Sequence, residues 1–286
     1  MKTWEETIQY IRKKPEFEAL VEQAYFHEDL VFNVENFGKS DEFFETLRII
    51  KSYQPKGKRI LDIGCGNGIS SINFALNNYH VTAVEPDTSN TVGSGAIRIL
   101  KKNYKLNNIE IHEDFAENIK FDSNSFDIVY IRQAMHHAND IEKFIKECVR
   151  VLKPKGLLLC VRDHVIYNQK DKDWFLKEHP LHKFYGGENA FTSEIYKNAI
   201  ELAGAEVKKE LKYYDSVINY FPTKKEDLQR LAQQNTYSQK KKLAHKIGVF
   251  AKIPLVWLLY KKFSSFESLN EKHIPGRMYS YISIKK

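Results

Sequence analysis

From residue 59 onward, short runs of β-branched and aliphatic residues alternate with longer stretches in which apolar residues recur every three or four positions. The runs predict strands near 59–63, 80–85, 109–112, 126–131 and 157–162, and the periodic stretches predict helices near 67–78, 91–104 and 140–152. Thr192 to Gly204 has helical spacing, with a threonine suited to cap its start and a glycine suited to end it. Ala205 to Tyr213 and Arg277 to Ile284 alternate as strands, with a long excursion over 215–276 between them. Residues 1–56 read as helices, and Lys51 to Lys58 forms a polar linker containing Pro55 and Gly57. Strands alternating with helices predict an α/β fold built on a doubly wound, mostly parallel sheet covered on both faces. Three parts follow: a helical cover over 1–56, a core over 57–214 plus 277–286, and a helical cap insertion over 215–276.

The first strand breaks into Asp62-Ile63-Gly64-Cys65-Gly66-Asn67-Gly68, where alternating glycines leave bare backbone for a ligand to approach. The spacing is G-x-G-x-G; the dinucleotide fingerprint wants G-x-G-x-x-G, and its third position is Ile69 here. Val81-Thr82-Ala83-Val84 then delivers Glu85 to a strand end, where a carboxylate is placed to accept both hydroxyls of a ribose.

Together with E-D-F-A-E at 113–117, F-D-S-N-S-F-D-I-V-Y at 121–130, A-M-H-H at 134–137 and V-L-K-P-K-G at 151–156, these segments resemble the class I S-adenosylmethionine-dependent methyltransferases. The resemblance covers roughly residues 58–163 and is nearest to the quinone-pathway and small-molecule methylases; Met135 stands where that family often has leucine. It implies a Rossmann-like sheet with an antiparallel last strand, and S-adenosyl-L-methionine as cofactor. It further implies that Gly64, Gly66 and Gly68 pass under the methionine part, that Glu85 holds the ribose and that Asp114 with Phe115 meets the adenine. Asp62, Cys65 and Arg132 join them as expected cofactor-site residues.

Open parallel sheets bind ligands beyond the carboxyl ends of their strands. Arg132 to Asp140, His164 to Phe191 and Asp215 to Gly276 leave those ends, and the last two are too long to be mere linkers, so both are candidates to cap a substrate. His136 and His137 follow the fourth strand and are the candidate general bases for an oxygen acceptor; the alternative is that they satisfy backbone groups beneath the cofactor. The segment from His179 to Asn189 mixes His179, His182, Tyr185 and Glu188 with two glycines, as a pocket-lining loop or an ordered surface loop would, and His164 adds a further polar side chain. No residue spacing suggests a metal site, and none is expected. The Asn/Asp-Pro-Pro-aromatic tetrapeptide of base and amide methylases is missing after the fourth strand, and no Pro-Cys pair offers a cytosine nucleophile.

Charge divides the chain unevenly: residues 208–286 carry +11 and residues 1–207 carry −4, for a total of +7. The basic tail is either a set of solvated helix faces or a surface for an anionic partner; no motif for double-stranded nucleic acid is present. Within it, Ile247 to Tyr260 is apolar and bracketed by Lys240-Lys241-Lys242 and Lys261-Lys262. Spanning a bilayer takes about 20 apolar residues, so this stretch is a cap helix packed on the core, an interfacial membrane contact through 240–262, or a dimer face. The start of the chain lacks a signal-peptide pattern, and three scattered cysteines suit a reducing interior, so the expected location is cytoplasmic or peripheral to the inner face of a membrane. The expected activity is methyl transfer to oxygen of a small-molecule, carrier-linked, lipid or glycan acceptor. Carbon or nitrogen methylation and a non-catalytic cofactor-binding role are the alternatives.

Overall fold

The computed structural model describes residues 1–264 and 266–286, without the side chain of residue 252. Four helices lead: α1 (Trp4–Arg12), α2 (Glu18–Gln23), α3 (Leu30–Gly38) and α4 (Asp41–Tyr53). Side chains hold three of their starts by accepting from orphan amides: Thr3 from Glu6, Asp29 from Val31 and Phe32, and Ser40 from Phe43. The alternating part follows as β1 (Arg59–Ile63), α5 (Ile69–Leu76), β2 (His80–Val84), α6 (Ser94–Asn103), β3 (Ile109–His112), β4 (Phe126–Arg132), α7 (Ile141–Val151) and β5 (Leu152–Ile166). Then come α8 (Gln169–Glu178), α9 (His182–Tyr185), β6 (Phe191–Thr192), α10 (Ser193–Leu202), β7 (Ala205–Leu211), α11 (Val217–Tyr220), α12 (Lys225–Ile247), α13 (Pro254–Ser264) and β8 (Met278–Lys285).

The strands lie in the order β3-β2-β1-β4-β5-β8-β7, with β6 pairing the end of β5. β3, β2, β1, β4 and β5 run parallel, and β8 is antiparallel to both β5 and β7. This is the expected doubly wound sheet with an antiparallel last strand. Alternate residues of its central strands feed two cores. Leu61, Ile63, Val129, Ile131, Leu158 and Cys160 pack with α7 and α10 on one face, while Ile60, Ile128, Tyr130, Leu157, Leu159 and Val161 pack with α3 to α6 on the other.

Several elements differ from the sequence pattern. β5 runs to Ile166 because left-handed residues at Lys155 and Arg162 let the ladder continue through register shifts, which periodicity does not register. The connection from His164 to Phe191 holds α8, α9 and the two-residue β6. α5 starts at Ile69, one residue after Gly68 turns the chain with φ +80°.

The excursion before β8 has two parts. A 3₁₀ turn at Tyr213–Asp215 and α11 stay on the body: Ile218 is fully buried, and the Asn219 amide donates to the carbonyls of Leu211 and Lys212. From there α12 extends 23 residues, about 34 Å at 1.5 Å per residue, and buries only Leu228 and Leu243. After a 3₁₀ turn at Gly248–Lys252, α13 folds back along α12; the Lys240 ammonium lies over the Trp257 ring at 5.3 Å, and Gln239 bonds the Tyr260 hydroxyl.

Candidate active site and cofactor cavity

A cavity of about 1070 Å³ opens beyond the carboxyl ends of the parallel strands. Ligand sites commonly measure roughly 300–1,000 Å³, so this one has room for a cofactor and an acceptor together. One wall is the loop after β1; the mouth is covered by α1, α2 and the 179–188 segment, which meet through Trp4 against Phe26 and Tyr185 and through Leu181 packed with Ile8, Ile11 and Val21. Tyr213, Tyr220 to Thr223 and Asp227 bring the base of the excursion to the same cavity; α13 and the rest of α12 do not reach it.

The three loop glycines do different work. All have positive φ, +62°, +54° and +80° at Gly64, Gly66 and Gly68. A Cβ at Gly64 would stand 2.7 Å from the Ala134 methyl, and one at Gly68 would stand 2.7 Å from Ile97, so both are required by protein packing. At Gly66 the nearest protein atom would be 3.6 Å away, and its bare face opens into the cavity. Gly66 therefore leaves open space on the cavity side; Gly68, which does not line the cavity, supports the turn instead.

Glu85 faces this glycine at 8 % exposure. One of its oxygens accepts from the Gly66 amide at 2.7 Å and the other from the Asp87 amide at 2.9 Å. Burial pushes its carboxyl up to about 7 despite those two bonds. Each oxygen has one amide donor and further acceptor capacity beside the cavity, so the residues fit a pair of hydroxyl donors such as the ribose of S-adenosylmethionine. Asp114 and Phe115 also line the cavity, Asp114 paired with Lys120 at 2.8 Å and Phe115 two-thirds exposed at the rim as an open face for a planar base.

Two expected cofactor residues serve the scaffold. Asp62 is fully buried outside the cavity and accepts from the Ser70 and Ser71 hydroxyls at 2.6 Å each, tying α5 to β1; burial raises its carboxyl to about 6. Arg132 reaches the cavity wall, but its guanidinium is bound bidentately by the buried Glu42 at 2.6 and 3.1 Å, and Arg162 adds a second cation 3.6 Å from that carboxylate. Burial pushes the Glu42 carboxyl upward, and the two guanidiniums outweigh it and hold the carboxyl below its ordinary value. Cys65 lines the loop as a buried thiol directed at the Val84 carbonyl, its ionisation pushed far up by burial.

The opposite wall gathers histidines from three segments. His136 and His137 lie in a 3₁₀ turn after β4, His164 near the end of β5, and His179 and Glu188 on the covering segment. His136 Nδ1–H donates to Asp163 Oδ1 at 3.0 Å, and its Nε2 is 3.5 Å from Glu188 Oε2. Burial alone would lower its pKa, but Asp163 and Glu188 raise it to about 9, so it is an imidazolium at neutral pH. His137 is its opposite. Its Nδ1 meets the Gly187 carbonyl at 3.0 Å and must donate there, which leaves Nε2 as a lone pair; burial within the protein and the charge on His136 lower its pKa to about 4, although the ring is exposed to the cavity. His164 is likewise neutral, with Nδ1–H donating to the Gly276 carbonyl at 2.6 Å. His182 and Asn189 do not line the cavity.

Metal ligation was not expected from spacing, yet the fold brings one donor atom each from His136, His164 and Glu188 within 4.8 Å of one another. Asp163, Glu42 and Arg162 are functional neighbours that sequence reasoning passed over. They are charged side chains in apolar surroundings, and nothing local names their partners.

The methyltransferase domain family matches residues 61–160. A phthiotriol/phenolphthiotriol dimycocerosates methyltransferase of Mycobacterium leprae is 35 % identical over 104 residues, 36 % of each chain. A ubiquinone biosynthesis O-methyltransferase of Rickettsia prowazekii is 32 % identical over 101 residues, 35 % of this chain and 38 % of that one. These matches thus span little more than a third of the curated relatives. Among solved structures, a geranyl diphosphate methyltransferase in complex with S-adenosylmethionine shares the fold with a TM-score of 0.54 over 84 % of both chains at 11 % identity. Residues 61–160 of this chain match the methyltransferase domain family, and the sheet built around them has the fold of the S-adenosylmethionine-dependent methyltransferases.

Proposed function

We propose that the chain transfers the methyl group of S-adenosylmethionine to a hydroxyl oxygen of a small-molecule or lipid acceptor. The observation that carries this reading is His137: a neutral imidazole whose Nδ1–H is committed to Gly187, with its Nε2 lone pair in the cavity that Gly66 and Glu85 also line. When bound, the sulfonium supplies an activated methyl, and transfer breaks the C–S bond, leaves its electron pair on sulfur and forms a C–O bond. Gly66 and Glu85 position the cofactor, and the covering helices exclude water. His137 Nε2 takes the hydroxyl proton, a role that His136 cannot share while it already carries two. Named relatives act on a lipid and in quinone O-methylation, which supports both parts of the acceptor class.

The test incubates the protein and methyl-labelled S-adenosylmethionine with aqueous and lipid extracts of the cells that make it. Labelled methyl ether products are expected. His137→Phe should lower turnover by roughly 10²–10⁴-fold while leaving S-adenosylhomocysteine affinity within about twofold. Label found only in N-methyl or C-methyl products, or full turnover by the variant, would overturn the oxygen assignment.

A further inference from the structure

We propose that His136, His164 and Glu188 form a binding site for one divalent first-row metal ion in the acceptor half of the cavity. Three geometric features point there. First, the donor atoms of the trio lie within 4.8 Å of one another, so side-chain rotations of about 1 Å bring them to the donor spacing that bonds of about 2.0–2.2 Å require. Second, both histidines are oriented as metal ligands are: His136 Nδ1–H is held by Asp163 Oδ1 and His164 Nδ1–H by the Gly276 carbonyl, which turns each Nε2 inward. Third, the Glu188 side chain is 5 % exposed, and its Oε2, the atom nearest His136 Nε2, has no hydrogen-bond partner among the described residues. That oxygen faces His136 at 3.5 Å without a hydrogen bond, and a metal ion seated there would give it a direct ligand bond. An ion would replace the proton between His136 and Glu188, and His179 Nε2, 3.7 Å from Glu188 Oε1, stands by as a further donor.

Mixed imidazole and carboxylate donors suit zinc, iron(II), cobalt(II) or manganese(II) better than magnesium or calcium. Two histidines and one carboxylate leave positions open for an oxygen ligand, which gives this site the chemistry to seat the acceptor hydroxyl. That use rests on the oxygen-methylation reading; the binding does not. The experiment titrates chelator-treated protein with cobalt(II) followed by its visible absorption, then with competing zinc. One ion per chain is expected, with at least about tenfold weaker binding in His164→Ala and Glu188→Gln and about 10–100-fold weaker binding in Asp163→Asn, which removes only the support of His136. His80→Ala, at an exposed histidine outside the cavity, should bind as the parent does. Binding that is absent, or equal across the variants, overturns the site. S-adenosylhomocysteine titrated into the same samples separates the two ideas: its retention alongside a failed metal titration sinks the metal site alone.

A different observation carries a second inference: the α12–α13 hairpin docks on an anionic lipid surface. Residues 228–266 contain eight lysines and arginines and no aspartate or glutamate. Trp257 and Tyr260 of α13 turn toward α12, while Leu255 and Leu258 face solvent at 61 % and 66 % exposure, and Val249, Phe250 and Phe263 are exposed as well. The apolar stretch is thus largely uncovered by the described residues. No helix among the described residues is long and apolar enough to cross a membrane, so the geometry is that of a helix lying in the interface. A second copy is a poor occupant, because a two-fold contact would oppose two cationic faces with no carboxylate between them. Anionic lipid complements them.

Flotation with phosphatidylcholine vesicles, with and without phosphatidylglycerol, tests this. Binding is expected only to the anionic vesicles, lost near about 0.5 M salt and at least about tenfold weaker after Phe250→Ser, Leu255→Ser and Leu258→Ser combined. No binding to anionic vesicles would overturn the inference, as would a dimer in sedimentation that the triple variant dissociates.

Discussion

At the residue scale, Glu85 couples cofactor binding to pH. Its folded-state pKa of about 7 lies above the ordinary 4.5, so the free protein loses stability as pH rises from about 4.5 to about 7, by on the order of 3 kcal/mol. Ribose hydroxyls need the carboxylate, so S-adenosylhomocysteine should bind up to tenfold more weakly per pH unit below about 7 and level off above it. Calorimetric titrations from pH 5.5 to 8.5, set against Glu85→Gln, check this; a flat profile in the parent would mean that Glu85 does not meet the ligand as a carboxylate. Glu85 and Gly66 were legible in the sequence because a glycine loop and a strand-end acid are local signals. Asp163 was not, since its importance lies in accepting from the His136 amide and Nδ1 at the ends of neighbouring strands.

At the element scale, α4, β4 and β5 are joined by one buried carboxylate. Glu42 of α4 neutralises Arg132 at the end of β4 and Arg162 in β5, and all three side chains are nearly or fully enclosed. Removing one partner of such a group leaves uncompensated charge, at a cost of about 3–5 kcal/mol. Glu42→Gln should therefore lower unfolding stability by that amount in urea titration, whereas Glu45→Gln, on the exposed Arg48 pair, should change it by less than about 1 kcal/mol. Equal small losses would show that Arg132 is held by other contacts. The sequence pattern placed β4 to within a residue, gave the middle of β5, and read α4 only as part of a helical stretch over 1–56. It put Arg132 among the cofactor residues, and packing pairs its guanidinium with Glu42 of α4 at the cavity wall.

At the scale of the whole molecule, the body and the hairpin separate. Asn235 donates to the Ser268 carbonyl at 2.9 Å, so the two ends of the hairpin are adjacent and residues 236–267 can be replaced by a short glycine-serine turn. S-adenosylhomocysteine affinity should stay within about twofold and vesicle binding should vanish; loss of cofactor binding would show that the hairpin supports the cavity. The sequence by itself determined the doubly wound sheet, the glycine loop and the strand-end acid, because periodicity and turn chemistry are written in neighbouring residues. Tertiary structure alone decided which histidine keeps a free lone pair, since Gly187, Asp163 and Glu188 reach the pair from distant segments. It also decided which way the apolar stretch faces: a run of leucines is equally content against a core, a bilayer or a second copy, and its direction is set by α13 folding Trp257 and Tyr260 back onto α12.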